Sequence, residues 1–296
     1  MNRMIIATLL LLVFNSCAEN KKIITSGNSI QFGTESTLDV ITWNIENFPK
    51  QNGSTVNYLA ELIPLLDVDI IAMQEIGDDD YFNQLVGQLN GWRGFRAGGS
   101  WGLAYIYKSE VIINRIEEIQ ALDNYNLTRT PLLMELEWGG ENVYIINNHY
   151  KCCGNGTIEI EYDDEEYRRL QSSILTKTYI ESNLDSQKVI LVGDLNDELN
   201  DEESINVFQN FIIDSTNYKF VDMEIAYSSS SNWSYPSWPS HLDHILITNE
   251  LFNEFENEGS SVQTIRLEEY FDNGWIEYEN YISDHRPVGL RLKFSQ

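Results

Sequence analysis

An α/β fold is what the order of apolar segments in this 296-residue chain predicts. Three observations carry the reading. Short β-branched runs bounded by glycine or polar residues, with Val189 to Val192 before Gly193 the clearest, fit strands buried on both faces. Segments of helical period separate these runs. Polar residues that a buried strand should not hold collect where the runs end.

The first 16 residues form a targeting segment. Arg3 supplies positive charge, and the apolar stretch 4–14 is shorter than the ~20 residues that span a bilayer. Leu12-Val-Phe-Asn-Ser-Cys17 resembles a bacterial lipobox, so Cys17 is the expected lipidation site. The chain would then be exported and held by lipid at the outer membrane or cell surface. The other reading is a plain signal peptide and a secreted soluble protein. Residues 17–37 carry the lipidated Cys and read as a polar tether. Residues 38–296 form one domain, because no linker-like composition interrupts them.

Within that domain, residues 38–44 are the first strand. A helix covers 55–65, with Ser54 or Thr55 as its N-cap. Residues 69–74 form a second buried strand ending at Glu75, and 79–89 a second helix. Strands follow at 103–107, 132–138 and 143–148, the last two joined at Gly139-Gly140, a hairpin signal. An acidic loop, 159–166, opens a long helix whose Tyr167, Leu170 and Ile174 make an apolar stripe expected to face the core. The central strand comes next, then a helix at 202–213, a Ser-rich loop, and strands at 242–248 and 288–294.

Charge limits the partners. With 19 Lys and Arg against 46 Asp and Glu, the net charge is -27, so a long basic groove for nucleic acid is not expected. Beyond Cys17 only the adjacent pair Cys152 and Cys153 remains. There is no disulfide framework and no Cys/His spacing of the zinc type. A vicinal pair can close a strained ring or stay as two thiols.

The polar exceptions at strand ends are Asn44, Glu75, His149 after Asn147-Asn148, Asp194 with Asn196, Asp243, and Asp284-His285. If the extended backbone continues past Gly193, Asp194 and Asn196 point to one face. Carboxylates with an amide suit a hard cation such as Mg2+, Mn2+ or Ca2+. Imidazoles beside carboxylates suit proton transfer, with Asp243 orienting one ring. Asp284 and His285 cannot share a pocket from a regular strand, so a turn or bulge should carry them.

Trp43-Asn44, Gln74-Glu75, Asn148-His149, Gly193-Asp-Leu-Asn196, Leu242-Asp243 and Ser283-Asp284-His285 resemble, in order and spacing, the motifs of the endonuclease/exonuclease/phosphatase superfamily. The resemblance covers nearly all of 38–294. It implies a four-layer sandwich, two mixed β-sheets face to face with helices outside, and a divalent-metal-dependent phosphoester hydrolase. It implies Glu75 as principal metal ligand, with Asn44 and Asp284 completing the shell. His285 resembles the general base, oriented by Asp243. Asp194 resembles the carboxylate that positions or deprotonates the nucleophile, and Asn196 and His149 the groups that hydrogen-bond phosphoryl oxygens. Arg129 and Lys151 are candidate phosphate contacts.

Trp233, Tyr235 and Trp238 could stack on a base, lie against lipid or pack locally. His244 is read as structural, since it faces away from Asp243. The expected substrate is nucleic acid, with a phospholipid or small phosphodiester as the alternative and an inactive binding module as the remaining class. The protein is expected to be a monomer that meets membrane only through its anchor.

Overall fold

The computed structural model describes residues 30–295. The targeting segment, Cys17 and the first part of the tether lie outside them. Among the described residues no helix is long and apolar enough to cross a membrane.

Twelve strands alternate with seven α-helices in these residues. The strands are β1 (Leu38–Phe48), β2 (Ile70–Ile76), β3 (Trp92–Arg96), β4 (Gly102–Lys108), β5 (Ile112–Glu118), β6 (Leu132–Trp138), β7 (Glu141–His149), β8 (Lys188–Asp194), β9 (Tyr218–Phe220), β10 (Asp243–Thr248), β11 (Ser261–Thr264) and β12 (Val288–Leu292). The helices are α1 (Gly53–Leu66), α2 (Asp79–Gln88), α3 (Glu165–Asn183), α4 (Gln209–Ile212), α5 (Met223–Ala226), α6 (Phe252–Glu256) and α7 (Trp275–Tyr281). One six-stranded sheet runs β11-β12-β1-β2-β4-β3 and the other β5-β6-β7-β8-β10-β9.

Alternation along the strands builds the layers. Val40 points between the sheets, where it meets Met134, Ile145, Val192 and Ile245. Its neighbour Ile41 points outward, into the cluster that holds Leu59 and Leu62 of α1 and Leu85 of α2. Ile146 and Leu191 of the second sheet likewise face Ile180 of α3. Two sheets with helices outside make the four layers expected.

Each sheet is mixed, with one parallel pair at its centre: β1 with β2, and β7 with β8. Parallel strands bring their carboxyl ends to the same edge. Asn44 is therefore level with Gln74, His149 with Asp194, and Asp243, on the antiparallel neighbour, with Asp194. Polar bonds tie the sheets behind this edge. Asn147 Nδ2 donates to Met73 O at 3.0 Å and Ala104 O at 3.1 Å, while its Oδ1 accepts from Gln74 Nε2 at 2.7 Å. Asn147 thus joins the sheets, and its neighbour His149 reaches the site.

Several elements depart from the sequence reading. The chain is already docked at the first described residues: Ile30 and Phe32 are buried on the α1 side, and Phe32 N and Gly33 N donate to Leu66 O at 2.9 Å. The tether therefore does not run to residue 37, because two apolar side chains outweigh its polar composition. Helix α1 starts at Gly53 without a side-chain cap, and Thr55 Oγ1 accepts from Gln51 N and donates to Tyr281 O. The four edge strands β3, β5, β9 and β11 were not anticipated, and the helix expected at 202–213 is only α4. In α3 the stripe Tyr167, Leu170, Ile174 is half-buried or exposed; the buried face holds Glu166, Arg169, Ser172, Ser173 and Thr176. That face meets polar loops at the site end of the sandwich, where charge pairing replaces apolar contact.

Candidate active site

Glu75, His149, Asp194, Asn196, Asp284 and His285 line one cleft of about 630 Å³ at the edge where the parallel pairs end. Asp243 lies beneath it, fully buried. The backbone is unusual here. Glu75 (φ 61°) and Asn196 (φ 55°) both adopt left-handed conformations, which non-glycine residues accept at a cost and which cluster at functional sites. The extended backbone thus stops at Asp194. Asn196 reaches the cleft from the turn that follows, where its N–H donates to Asp194 Oδ1 at 3.1 Å.

Gly193 shows why the strand ends as it does. Its φ is 151°, and a Cβ there would lie 2.0 Å from Asn148 O on the neighbouring strand, so only glycine lets β7 and β8 close up beside the site. Asp284 and His285 sit before β12, on the turn that alternation demands. Ser283 Oγ accepts from His285 N at 3.0 Å and donates to Asn44 O at 2.7 Å, pinning that turn to β1.

The imidazole of His285 is held by carboxylates. Its Nδ1 donates to Asp243 Oδ2 at 2.7 Å, and its Nε2 lies 3.9 Å from both Asp194 and Asp284. Burial works against charge on the ring, yet Asp243, Asp194 and Asp284 together push its pKa up to about 10. Asp194 is moved up to about 7, by burial first and by Asp243 and Glu75, against His285 and the Asn44 hydrogen bond. The pair therefore rests as an imidazolium beside a carboxylate that titrates near neutrality. His149 differs: burial, then Arg129 and His285, push it down to about 3, so it is neutral. Its Nε2 lies 3.6 Å from Asp194 and 3.9 Å from Glu75, and its buried Nδ1 has no hydrogen-bond partner among the described residues.

The cation side of the site consists of oxygen donors. Glu75 and Asp284 face the same cleft. Burial raises Asp284 to about 6, with His285 and then Lys50 opposing and Glu46 and Glu75 helping. Such an excess of carboxylate is what a hard divalent cation offsets. Asn44 lies beside that set, bonded to it through its amide. Its Oδ1 accepts from Glu46 N at 2.9 Å, and its Nδ2 donates to Asp194 at 2.9 Å and Glu75 at 3.2 Å. The amide nitrogen thus orients two carboxylates, while Oδ1 accepts one hydrogen bond and keeps a second lone pair. Glu46 was overlooked in the sequence, although Trp43-Asn44-x-Glu46 stands at the end of β1; one of its oxygens accepts from Asp284 N.

Around this centre, Arg129 lines an adjoining cleft of about 510 Å³ that shares Glu75, His149 and Cys152 with the first. Its Nε donates to Trp101 O at 3.0 Å. Lys151 lines the same cleft, with its ammonium 3.0 Å from Cys152 O and 3.7 Å from Glu165. Among the loop aromatics, Tyr235 lies 4.8 Å from the His285 ring and Trp238 is exposed at the cleft, whereas Trp233 turns inward to Ile225 O.

His244 proves structural, and so does His241. Asp222 Oδ2 accepts from His244 at 2.7 Å and from His241 at 3.1 Å, and His244 Nε2 donates to Asp197 O at 2.8 Å. Both His244 nitrogens face acceptors, so the ring is a buried imidazolium paired with Asp222. The three side chains lie close enough to ligate a metal, but these bonds already occupy their polar atoms.

Fold and site define a phosphoester-cleaving hydrolase architecture, and sequence comparison agrees. The chain belongs to the endonuclease/exonuclease/phosphatase family, whose model matches residues 41–285. Members of that family are phosphoester-cleaving hydrolases, typically dependent on a divalent metal. No curated protein sequence matches. Solved structures share the fold at low identity. TDP2 from D. rerio, complexed with single-strand DNA product, has 15% identity and a TM-score of 0.64, covering 88% of this chain and 100% of its own. An endonuclease/exonuclease/phosphatase from Bacteroides vulgatus has 13% identity and a TM-score of 0.60, at 88% and 100% coverage. The human Nocturnin catalytic domain with bound sulfate has 17% identity and a TM-score of 0.60, at 88% and 94%.

Proposed function

We propose that this protein is an exported, divalent-metal-dependent phosphodiesterase, most simply an extracellular nuclease. The observation that carries the reading is the convergence of Glu75, His149, Asp194, Asn196, Asp284 and His285 in one cleft, with Asp243 behind them. Glu75 and Asp284 would hold the cation, with Asn44 fixing the Glu75 carboxylate. The cation, when bound, neutralises charge on the phosphoryl oxygens.

The chain's own groups do the rest. Asp194, titrating near 7, accepts a proton from the attacking water as its oxygen bonds to phosphorus, while the opposite ester P–O bond breaks and the departing oxygen takes a proton from the His285 imidazolium or from solvent. His149 Nε2–H and the Asn196 amide donate to the phosphoryl oxygens as charge develops. The His285 imidazolium, oriented by Asp243, adds a charged donor there. The resemblance implies His285 as the base and Asp194 as the group that positions or deprotonates the nucleophile; with three carboxylates around His285, our reading takes Asp194 as the base and His285 as the acid. Arg129 would take a flanking phosphate in the adjoining cleft. A lipid on Cys17 would keep the enzyme at the cell surface.

A phospholipid or small phosphodiester is the second reading, favoured by the net charge of -27, which repels polyanions. The test is hydrolysis of single- and double-stranded DNA, RNA, sphingomyelin and bis-p-nitrophenyl phosphate with Mg2+, Mn2+, Ca2+ or EDTA, using His285→Ala as control. Cleavage of nucleic acid that weakens steeply with salt supports the nuclease. Turnover of lipid or small diester alone moves the assignment to the second reading. No turnover with any metal removes both.

A further inference from the structure

We propose that Cys152 and Cys153 form a redox-modification site in the wall of the catalytic cleft, where a small-molecule disulfide oxidant closes them into a vicinal disulfide ring that impairs the site. The effect on the site rests on the phosphodiesterase reading above; the thiol chemistry does not.

Placement is the first argument. Both cysteines are exposed, and both line the cleft that holds Glu75, His149, Asp194 and His285. Their sulfurs lie 2.9 Å apart, with Cys153 Sγ donating to Cys152 Sγ. Lys151 Nζ is 3.9 Å from Cys152 Sγ. The Cys152 sulfur thus meets both its partner thiol and the cleft, and the thiolate is the attacking species in exchange.

The chemistry balances in two steps. The Cys152 thiolate attacks one sulfur of the oxidant, forming a mixed disulfide and releasing one thiolate. Cys153, deprotonated, then attacks Cys152 Sγ, forming the ring bond and releasing the second thiolate. Two protons leave the cysteines, and two electrons reduce the oxidant to two thiols. Adjacent Cα atoms lie about 3.8 Å apart, short of the roughly 4.4–6.8 Å that unstrained disulfides span, so the ring is strained and thiols readily reopen it.

Coupling to the site runs through Arg169. This buried guanidinium donates Nη1 to Cys153 O at 2.7 Å and Lys151 O at 2.9 Å, and Nε to Asp197 Oδ2 at 2.8 Å. It therefore joins the cysteine loop to the segment that carries Asp194 and Asn196. The loop has little room to slide, because a Cβ at Gly154 would lie 2.3 Å from Glu166 Oε1. Closing the ring twists the Cys152–Cys153 peptide and with it the Cys153 backbone, which already sits at φ 73°, so the Cys153 carbonyl that follows shifts against Arg169.

The experiment treats the full chain with oxidised glutathione or dithiothreitol. It maps the peptide containing Cys152 and Cys153 by mass after alkylation, follows amide exchange over 151–156, and measures Mg2+-dependent hydrolysis of bis-p-nitrophenyl phosphate. We expect the oxidised peptide to lose two hydrogen atoms and resist alkylation, exchange in the loop to accelerate, and kcat/KM to fall about tenfold, the order that a cleft displaced by under ~1 Å costs. Dithiothreitol should restore all three. Cys153→Ser should stop at the glutathione adduct and form no ring. Two alkylatable thiols after oxidation, or a ring that changes neither exchange nor kcat/KM by twofold, would overturn the proposal. A reduced enzyme inactive with every diester and metal refutes the phosphodiesterase reading and leaves mass and exchange to decide the thiol site.

Discussion

Replacing Asp243 with Asn removes a charge while keeping nearly the same volume in a fully buried position. Asp243 is the nearest anion to His285, at 2.7 Å against 3.9 Å for Asp194 and Asp284. Coulomb attraction falls with distance, so Asp243 supplies about two-fifths of the attraction from these three carboxylates. The rise of His285 from 6.5 to about 10 corresponds to about 5 kcal/mol net in favour of the imidazolium. Losing the Asp243 share removes at least about 2 kcal/mol and brings the ring's titration down toward the assayed range. The sign follows from a raised imidazole: the charged form persists below its pKa and is lost as pH rises through it. The wild type should keep its imidazolium from pH 7 to 9, whereas Asp243→Asn should lose activity progressively over that interval. The assay is kcat/KM for bis-p-nitrophenyl phosphate with saturating Mg2+, with a thermal melt to confirm folding. The comparison is made at pH 9, where a ring moved to about 8.5 is about one-quarter charged against about nine-tenths in wild type, so we expect a drop of about fourfold or more. A variant within threefold of wild type, or one whose activity rises with pH, would refute the acid assignment of His285 and return it to the role of base.

Glu75→Gln removes the carboxylate that faces the cleft beside Asp284, and should cost about 10²-fold or more in kcat together with Mg2+ affinity; isothermal titration of Mg2+ separates the two effects. Asn147→Leu strips the amide that bridges the sheets, leaving Met73 O, Ala104 O and Gln74 without that partner, and should lower unfolding stability by about 2–4 kcal/mol in urea titrations. Asp39, raised to about 7 by burial and by Asp69, stabilises the fold fully below 3.8 and loses that contribution as pH rises to 7. The unfolding free energy of wild type relative to Asp39→Asn should therefore fall by up to about 4 kcal/mol between pH 4 and pH 8, and a pH-independent difference would contradict it.

The central strands were legible in the sequence because their signal is local. A β-branched run ending in glycine and a carboxylate states both the strand and the place where its burial stops. The order of Glu75, His149, Asp194, Asp243 and His285 along the chain likewise carried the family and the cleft. Edge strands β3 and β5 were not legible: their partners across the sheet decide them, and their exposed, mixed side chains carry no clean alternation. Helix α3 misled for the opposite reason, since its apolar stripe is plain but its surroundings are charged. Tertiary structure alone decided the chemistry of individual groups. It turned the Asn44 nitrogen toward two carboxylates, placed three anions around His285, and hung Cys153 from Arg169. Residue types and periodicity are written along the chain, whereas ionisation and hydrogen-bond direction depend on neighbours that only folding brings within a few ångströms.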